Sequence, residues 1–324
     1  MSNLIKILGG KIMSFYSNYE DYNESVEARF TGETGAVEIF AEALRFEEDI
    51  TLEMLQADYR EAKAIKESAS AEEIEALTEG TVGDVWKKIK DFFIKFGQRI
   101  KAFVLGWVAR IRAKFTSNNK KFYNKYKDQV KRTADDLELE YRKTKDVNSW
   151  ADIDETGTIT ELMNIHKINN ATADDKLEDL DKDMDQDEIK NNAMKKFFKG
   201  NSVSFDNTKD DLEELAYSDS SKENYKFGEI KDEVVDLMSN GDTKLEKFVK
   251  IAKKLDDTCR KTADNIRGGK SAKNSTAAAR ISKVASIYTR VASKGISNIT
   301  SIYKEQLSQA RTAFAKAVQY HPKD

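Results

Sequence analysis

The chain is expected to be all-α: an elongated multi-helix assembly with long amphipathic helices and acidic flexible segments. Helix breakers are nearly absent, with 1 proline and 15 glycines in 324 residues, whereas loop-rich β folds use many more of both. The charged fraction of 34% almost matches the hydrophobic fraction of 39%, a balance that suits solvated helices better than a thick sheet core. Apolar residues also recur every three or four positions over long stretches, the period of one face of a helix.

Taken in order, residues 1–33 are rich in Asn, Ser, Tyr and Glu without a sustained period, and are expected to be poorly ordered. Ala36–Arg45 and Leu52–Ser68 are expected helices, with apolar stripes formed by Ile39, Ala43 and Phe46 for the first and by Met54, Leu55, Tyr59 and Ala62 for the second. A short helix at Ala71–Leu77 is expected to end at Thr78-Glu79-Gly80, with Gly80 and Gly83 marking a break. Val85–Phe115 follows as one amphipathic helix, its apolar stripe formed by Trp86, Ile89, Phe93, Phe96, Ile100, Phe103, Trp107, Ile111 and Phe115. The pattern continues through Tyr123, Tyr126 and Val130 toward Tyr141. Residues 149–175 read as a turn and a short helix, and residues 176–225 as acidic, weakly periodic and mobile. Helices resume near Lys231–Ser239 and Thr243–Asn265, and a long final helix is expected from about Thr276 to Tyr320.

The net charge of −3 conceals alternating blocks. Residues 1–80 carry 18 acids and 7 bases, and residues 81–132 carry 15 bases and 3 acids. Residues 133–248 carry 31 acids and 16 bases, and residues 249–324 carry 16 bases and 5 acids. Blocks of this size are interaction features, since opposite blocks neutralise each other within or between molecules. They suggest an acidic N-terminal assembly region (1–80), a basic amphipathic helical region (81–148), an acidic, partly flexible region (149–230) and a basic C-terminal helical region (231–324).

Motifs for chemistry fall short. Asp152-Ile153-Asp154-Glu155-Thr156-Gly157-Thr158-Ile159 fits the start of a calcium loop, but the bidentate Glu is replaced by Met163. An Asp-rich turn capping the helix at Thr160 is the better interpretation. The run Asp179, Asp181, Asp183, Asp185, Asp187 lacks both the glycine and the glutamate of such a loop. Gly269-Lys270-Ser271 echoes a phosphate-binding loop, but Asp264 stands where its first glycine belongs. His166 and His321 lie far apart, and the lone Cys259 has no identifiable base partner, so neither metal ligation nor nucleophilic catalysis can be assembled. No cofactor and no enzymatic activity are expected. The single cysteine fits a reducing compartment. The longest uncharged run near the basic helix, Ala102 to Ala109, is far below the roughly 20 residues of a membrane span.

The segment that points to a partner is Val85–Phe115, with nine Lys/Arg and one acid, Asp91. Lys87, Lys88, Lys95, Arg99, Arg110 and Lys114 lie opposite the apolar stripe. Such a face suits phosphate or an acidic protein surface. Three roles for the helix stay open: its stripe is the core face of a bundle; it lies in a membrane interface with Trp86 and Trp107 at headgroup depth; or the stripe packs inward while the bases meet DNA without base readout. Arg280, Lys283, Arg290 and Lys294 on the final helix support the third. The residues expected to contact DNA or an acidic surface are Lys87, Lys88, Lys95, Arg99, Arg110 and Arg112.

Leu77-Thr78-Glu79-Gly80 resembles the maturation site of large tailed bacteriophages, where a prohead protease cuts after glutamate in Leu/Ile-x-Glu. Ser70-Ala71-Glu72 resembles the Ser-x-Glu variant of giant phages. The resemblance, carried by Leu77, Glu79 and Gly80 and by the charge layout, implies an internal head or prohead-core protein whose acidic N-terminal block is a propeptide. Its implied partners are other virion proteins (capsid or core) and DNA, bound non-specifically by a multi-copy protein inside the head after assembly in the host cytoplasm. The alternative is a peripheral membrane-binding or pore-forming protein using helix 85–115, and a third option is a helical adaptor that packs these faces on another protein.

Overall fold

The computed structural model describes residues 71–166, 168–169, 172–173, 185–266 and 273–320. The helices expected at Ala36–Arg45 and Leu52–Ser68, the residues 1–33 and the Gly268–Ser271 loop lie outside them. The described chain is all-α apart from two small antiparallel ribbons.

Helix α1 spans Ala71–Ile111, runs through a π turn at Arg112–Thr116, and continues as α2 over Ser117–Thr133. At 1.5 Å per residue this rod is on the order of 95 Å long. The break expected at Gly80 and Gly83 does not occur, because neighbouring strong helix formers carry the backbone through isolated glycines at a cost of only about 1 kcal/mol each. Nor does the helix reach Tyr141: it ends at Thr133, and Glu138–Tyr141 forms strand β1. Short helices α3 (Val147–Trp150) and α4 (Glu155–Ile165) follow, then a hairpin of β2 (Ile168–Asn169) and β3 (Thr172–Ala173). Next come α5 (Gln186–Phe197), α6 (Thr208–Ala216) and β4 (Glu223–Lys226), which pairs antiparallel with β1. Helix α7 (Phe227–Asn265) and helix α8 (Lys273–Gln319) complete the order. The two helices expected at 231–239 and 243–265 are therefore one, because Gly241 sits inside α7.

Three long rods form the core. Helix α1–α2 and helix α8 run in the same direction: Phe96 meets Tyr288, Trp107 meets Tyr303 and Phe122 meets Phe314, with ring centroids 6.0, 6.5 and 5.7 Å apart. Helix α7 runs against both, since Lys101 pairs with Asp256 and Arg112 with Asp242. The rods approach closely where glycine removes a side chain. A Cβ on Gly97 would lie 2.9 Å from the Cys259 Cβ and 3.2 Å from the Asp256 Cα; one on Gly241 would lie 2.9 Å from a Leu307 methyl. The Tyr303 hydroxyl donates to the Gly241 carbonyl at 3.0 Å across this waist.

Between Arg280 and Thr300, α8 is buried around nearly its whole circumference, with Ser282, Ser286, Thr289 and Ser293 where a solvated helix would carry long charged side chains. Helices α1, α4, α5, α6 and α7 all pack on it. The mobility expected for residues 176–225 is thereby corrected for the described part, 185–225. Met194, Phe197, Phe198, Val203 and Leu212 are fully buried there, and Gly295 of α8 admits the Phe197 ring. The β1 segment is strapped to the bundle: the Gln309 amide donates to the Arg142 carbonyl at 2.6 Å, and the Glu233 carboxylate accepts from Tyr141, the Thr144 backbone N–H and the Thr144 hydroxyl.

Candidate functional site

The apolar stripe of α1 is a core face. Trp86, Ile89, Phe93, Phe96, Ile100, Trp107 and Ile111 are buried, while Phe103 and Phe115 are half-buried at its margin. Trp107 sits 4.8 Å from Phe248 between α7 and α8. At about 25 cal/mol per Å² of apolar surface, these side chains anchor the rod and fix which flanks remain for solvent.

One flank of α1 faces α7 through Gly97, Lys101 and Arg112. The flank on the other side of the α8 contact carries Lys88, Phe92, Lys95, Arg99, Phe103 and Arg110, spaced by three, four or seven residues and so in one line. Lys88, Lys95 and Arg99 are exposed, and the two phenylalanines and Arg110 are half-buried. Bases and aromatic rings thus alternate along one edge. Beyond Arg110 the line passes through Lys114, Lys121 and Lys125, all exposed. From Lys88 to Lys125 it extends about 56 Å. Helix α8 adds Arg311, whose guanidinium donates to the Asn119 side chain at 2.9 Å and lies over the Phe122 ring. Lys125 lies 4.9 Å over the Tyr126 ring. Between Val85 and Lys125 the sole acid is Asp91.

Of the six bases expected to act together, four share this edge: Lys88, Lys95, Arg99 and Arg110. Lys87 is exposed on a different face. Arg112 is a correction. Its Nε and Nη2 donate to Asp242 and Glu246 of α7 at 2.7 and 3.0 Å, and the Asp242 hydrogen bond raises its pKa further, so it is an internal clamp between rods. Two of the four supporting bases of α8 are corrected likewise: Arg280 is buried, and Lys294 lies 4.6 Å over Phe205, where burial lowers its pKa. Lys121, Lys125 and Arg311 join the edge without having been expected there. The three- and four-residue spacing beyond Lys114 was the signal for the first two, hidden because the π turn shifts the phase.

The other motifs resolve structurally. Asp154 caps α4 by accepting from the Gly157 N–H at 2.9 Å, so the Asp-rich turn is a cap at Asp154, upstream of Thr160. A Cβ at Gly157 would strike this carboxylate. Asp152 is held by Lys199 and Lys247. Cys259 is buried under Gly97, and burial pushes its thiol far above the usual range. Among the described residues no group of three or more His, Cys, Asp or Glu could hold a metal ion, and no helix is long and apolar enough to cross a membrane. Leu77, Glu79 and Gly80 fall within the helical backbone of α1, so a protease cutting after Glu79 must first unwind that turn. Comparison with protein-family models, with curated proteins and with solved structures finds no match to this chain.

Proposed function

We propose that this protein is a non-enzymatic structural component that binds a polyanion, DNA in the first instance, along the basic and aromatic edge of α1 and α2. The observation that carries this reading is the line of Lys88, Lys95, Arg99, Arg110, Lys114, Lys121 and Lys125, presented on a rod whose opposite face is locked into the core. Bases on a straight rod neutralise phosphates without reading base edges, which gives affinity without sequence preference. The charge layout and the Leu77–Gly80 resemblance extend the proposal to an internal head or prohead-core protein of a tailed phage, with capsid or core proteins as further partners. The lipid-interface alternative is less favoured, because Trp86 and Trp107 would have to leave the core first.

The test is the salt dependence of binding to a labelled duplex of arbitrary sequence. Each phosphate that is no longer neutralised lowers the slope of log K against log salt by about 0.9. Replacing Lys88, Lys95, Arg99 and Arg110 with glutamine is expected to flatten that slope by roughly 3 to 4. An unchanged slope in a folded variant refutes the DNA reading. The virion part is tested separately by mapping the N-terminus of the protein from its native source: a start at Gly80 or at Glu73 supports it, and an intact N-terminus removes the processing argument.

A further inference from the structure

The aromatic rings along the basic edge have nothing to contribute to a ligand that offers only phosphate. We propose that the α2 part of the edge is a stacking platform for single-stranded nucleic acid, centred on Phe122 and Tyr126. This rests on the polyanion reading of the same edge and specifies which form of nucleic acid fits it best.

Lys120–Lys127 holds four lysines and three aromatic residues, and the rod carries no acid between Asp91 and Asp128. A ladder of three rings leads out of the core here. Phe314 of α8 is fully buried, Phe122 meets it edge-on with centroids 5.7 Å apart, and Tyr126 meets Phe122 at 5.1 Å. Phe122 and Tyr126 are half-buried, so the ladder holds both rings in place while part of each stays at the surface. Stacking on a ring already held in place costs little side-chain ordering.

Cations stand at both rings. The Lys125 Nζ lies 4.9 Å over Tyr126 and the Arg311 guanidinium 5.7 Å over Phe122, with exposed Lys121 one turn before Lys125. A cation over a surface ring is held more weakly than a stacked base, so a base displaces it and leaves its charge for the adjoining phosphate. Upstream on the same line, beside Arg110, half-buried Phe103 adds a further ring.

A duplex cannot use these rings, because its bases are paired and stacked inside. Nor do its phosphates keep to a straight line, since each strand circles the axis in roughly 34 Å. Phe103 to Tyr126 spans about 35 Å along the rod. A single strand can follow that line, with room for about ten nucleotides at 3.4 Å each.

The test compares, on the full chain, a single strand of about 20 nucleotides with the duplex of the same sequence. The single strand is expected to bind about tenfold more tightly or better. Tyr126→Leu keeps an apolar side chain against Phe122 but removes the aromatic face. It is expected to weaken single-strand binding roughly 5- to 100-fold, to leave duplex affinity and the salt slope unchanged, and to be rescued by Tyr126→Phe. A strand carrying 5-iodouracil is expected to photo-cross-link to Tyr126 or Phe122. Equal affinities for the two forms, or an unaltered single-strand affinity in a Tyr126→Leu chain of unchanged helical circular dichroism, overturn the platform and leave the polyanion reading standing. Failure of the parent to bind either form refutes both. Should Tyr126→Leu not fold, the parent decides: adducts confined to residues outside the ring ladder overturn the platform.

Discussion

Gly97 and Gly83 lie in the same helix, and alanine at each should move stability in opposite directions. In a helix interior, glycine to alanine is worth about 0.5–1 kcal/mol of stabilisation through backbone entropy and propensity. Gly83 has nothing within 4 Å of where a Cβ would stand, so Gly83→Ala should realise that gain. At Gly97 the new Cβ would lie 2.9 Å from the Cys259 Cβ and 3.2 Å from the Asp256 Cα. Those atoms belong to the α7 backbone and its first side-chain carbon, so no rotamer change relieves the clash. The rods must move apart by several tenths of an ångström, an overpacking cost of about 1–3 kcal/mol. Separation also loosens the Lys101–Asp256 pair at 2.7 Å. The net expectation for Gly97→Ala is a loss of roughly 1–2 kcal/mol, placing the two variants about 2–3 kcal/mol apart. Urea unfolding followed by helical circular dichroism measures this, with thiol labelling of buried Cys259 as an independent probe of rod separation. Equal midpoints for the two variants would refute the close-packed α1–α7 interface.

Stability should also fall in acid. Burial alone would raise the pKa of Asp146, Asp152 and Asp256, but hydrogen bonds from Lys244, from Lys199 and Lys247, and from Lys101 and Arg260 hold all three below the ordinary carboxylate value. Their contribution is fully present above about pH 4 and is lost as pH falls through the folded-state values. Urea midpoints measured down the acid range should show Asp256→Asn losing stability less steeply than the parent; an equally steep loss would contradict the assignment. Trp107→Ala should cost about 3–5 kcal/mol because it empties a site shared with Phe248 and Tyr303. In the intact protein, tryptophan emission should not shift blue on anionic vesicles, since Trp86, Trp107 and Trp150 are already buried; a blue shift would revive the lipid reading. Asp154→Ala should cost about 1 kcal/mol by uncapping α4, and calcium should not alter the melting temperature of the parent.

The long rods and their apolar faces were legible because a sustained three- and four-residue period survives any tertiary arrangement. Gly80, Gly83 and Gly241 misled, since a glycine that packs closely, like Gly241, and one merely tolerated in open space, like Gly83, look the same in sequence as one that ends a helix. Residues 185–225 were illegible for another reason: Ile189, Met194, Phe197, Val203 and Leu212 are diluted among charges, and only the groove beside α8 collects them. Arg112 differs from Arg110 by two positions and not in charge. Nothing local distinguishes them, because the acids that claim Arg112 are some 130 residues away in the chain.

The π turn has a consequence for how the molecule tolerates change. From Phe96 to Phe122 is 26 residues, which in an uninterrupted α-helix would turn Phe122 about 80° away from the direction of Phe96. A π turn absorbs roughly one extra residue and brings that offset down to about 20°. It acts like the leap day of a calendar, resetting a count that would otherwise drift. Because the correction is made once, deletions within it and outside it are not equivalent. Losing one residue within Arg112–Thr116 would convert the π turn to α and leave α2, with Lys121 and Lys125, facing within about 20° of its present direction. The same deletion inside α1 would leave the correction in place and dislodge the upstream stripe. The alignment of the basic edge therefore tolerates the loss of one residue at that turn but not elsewhere along the rod.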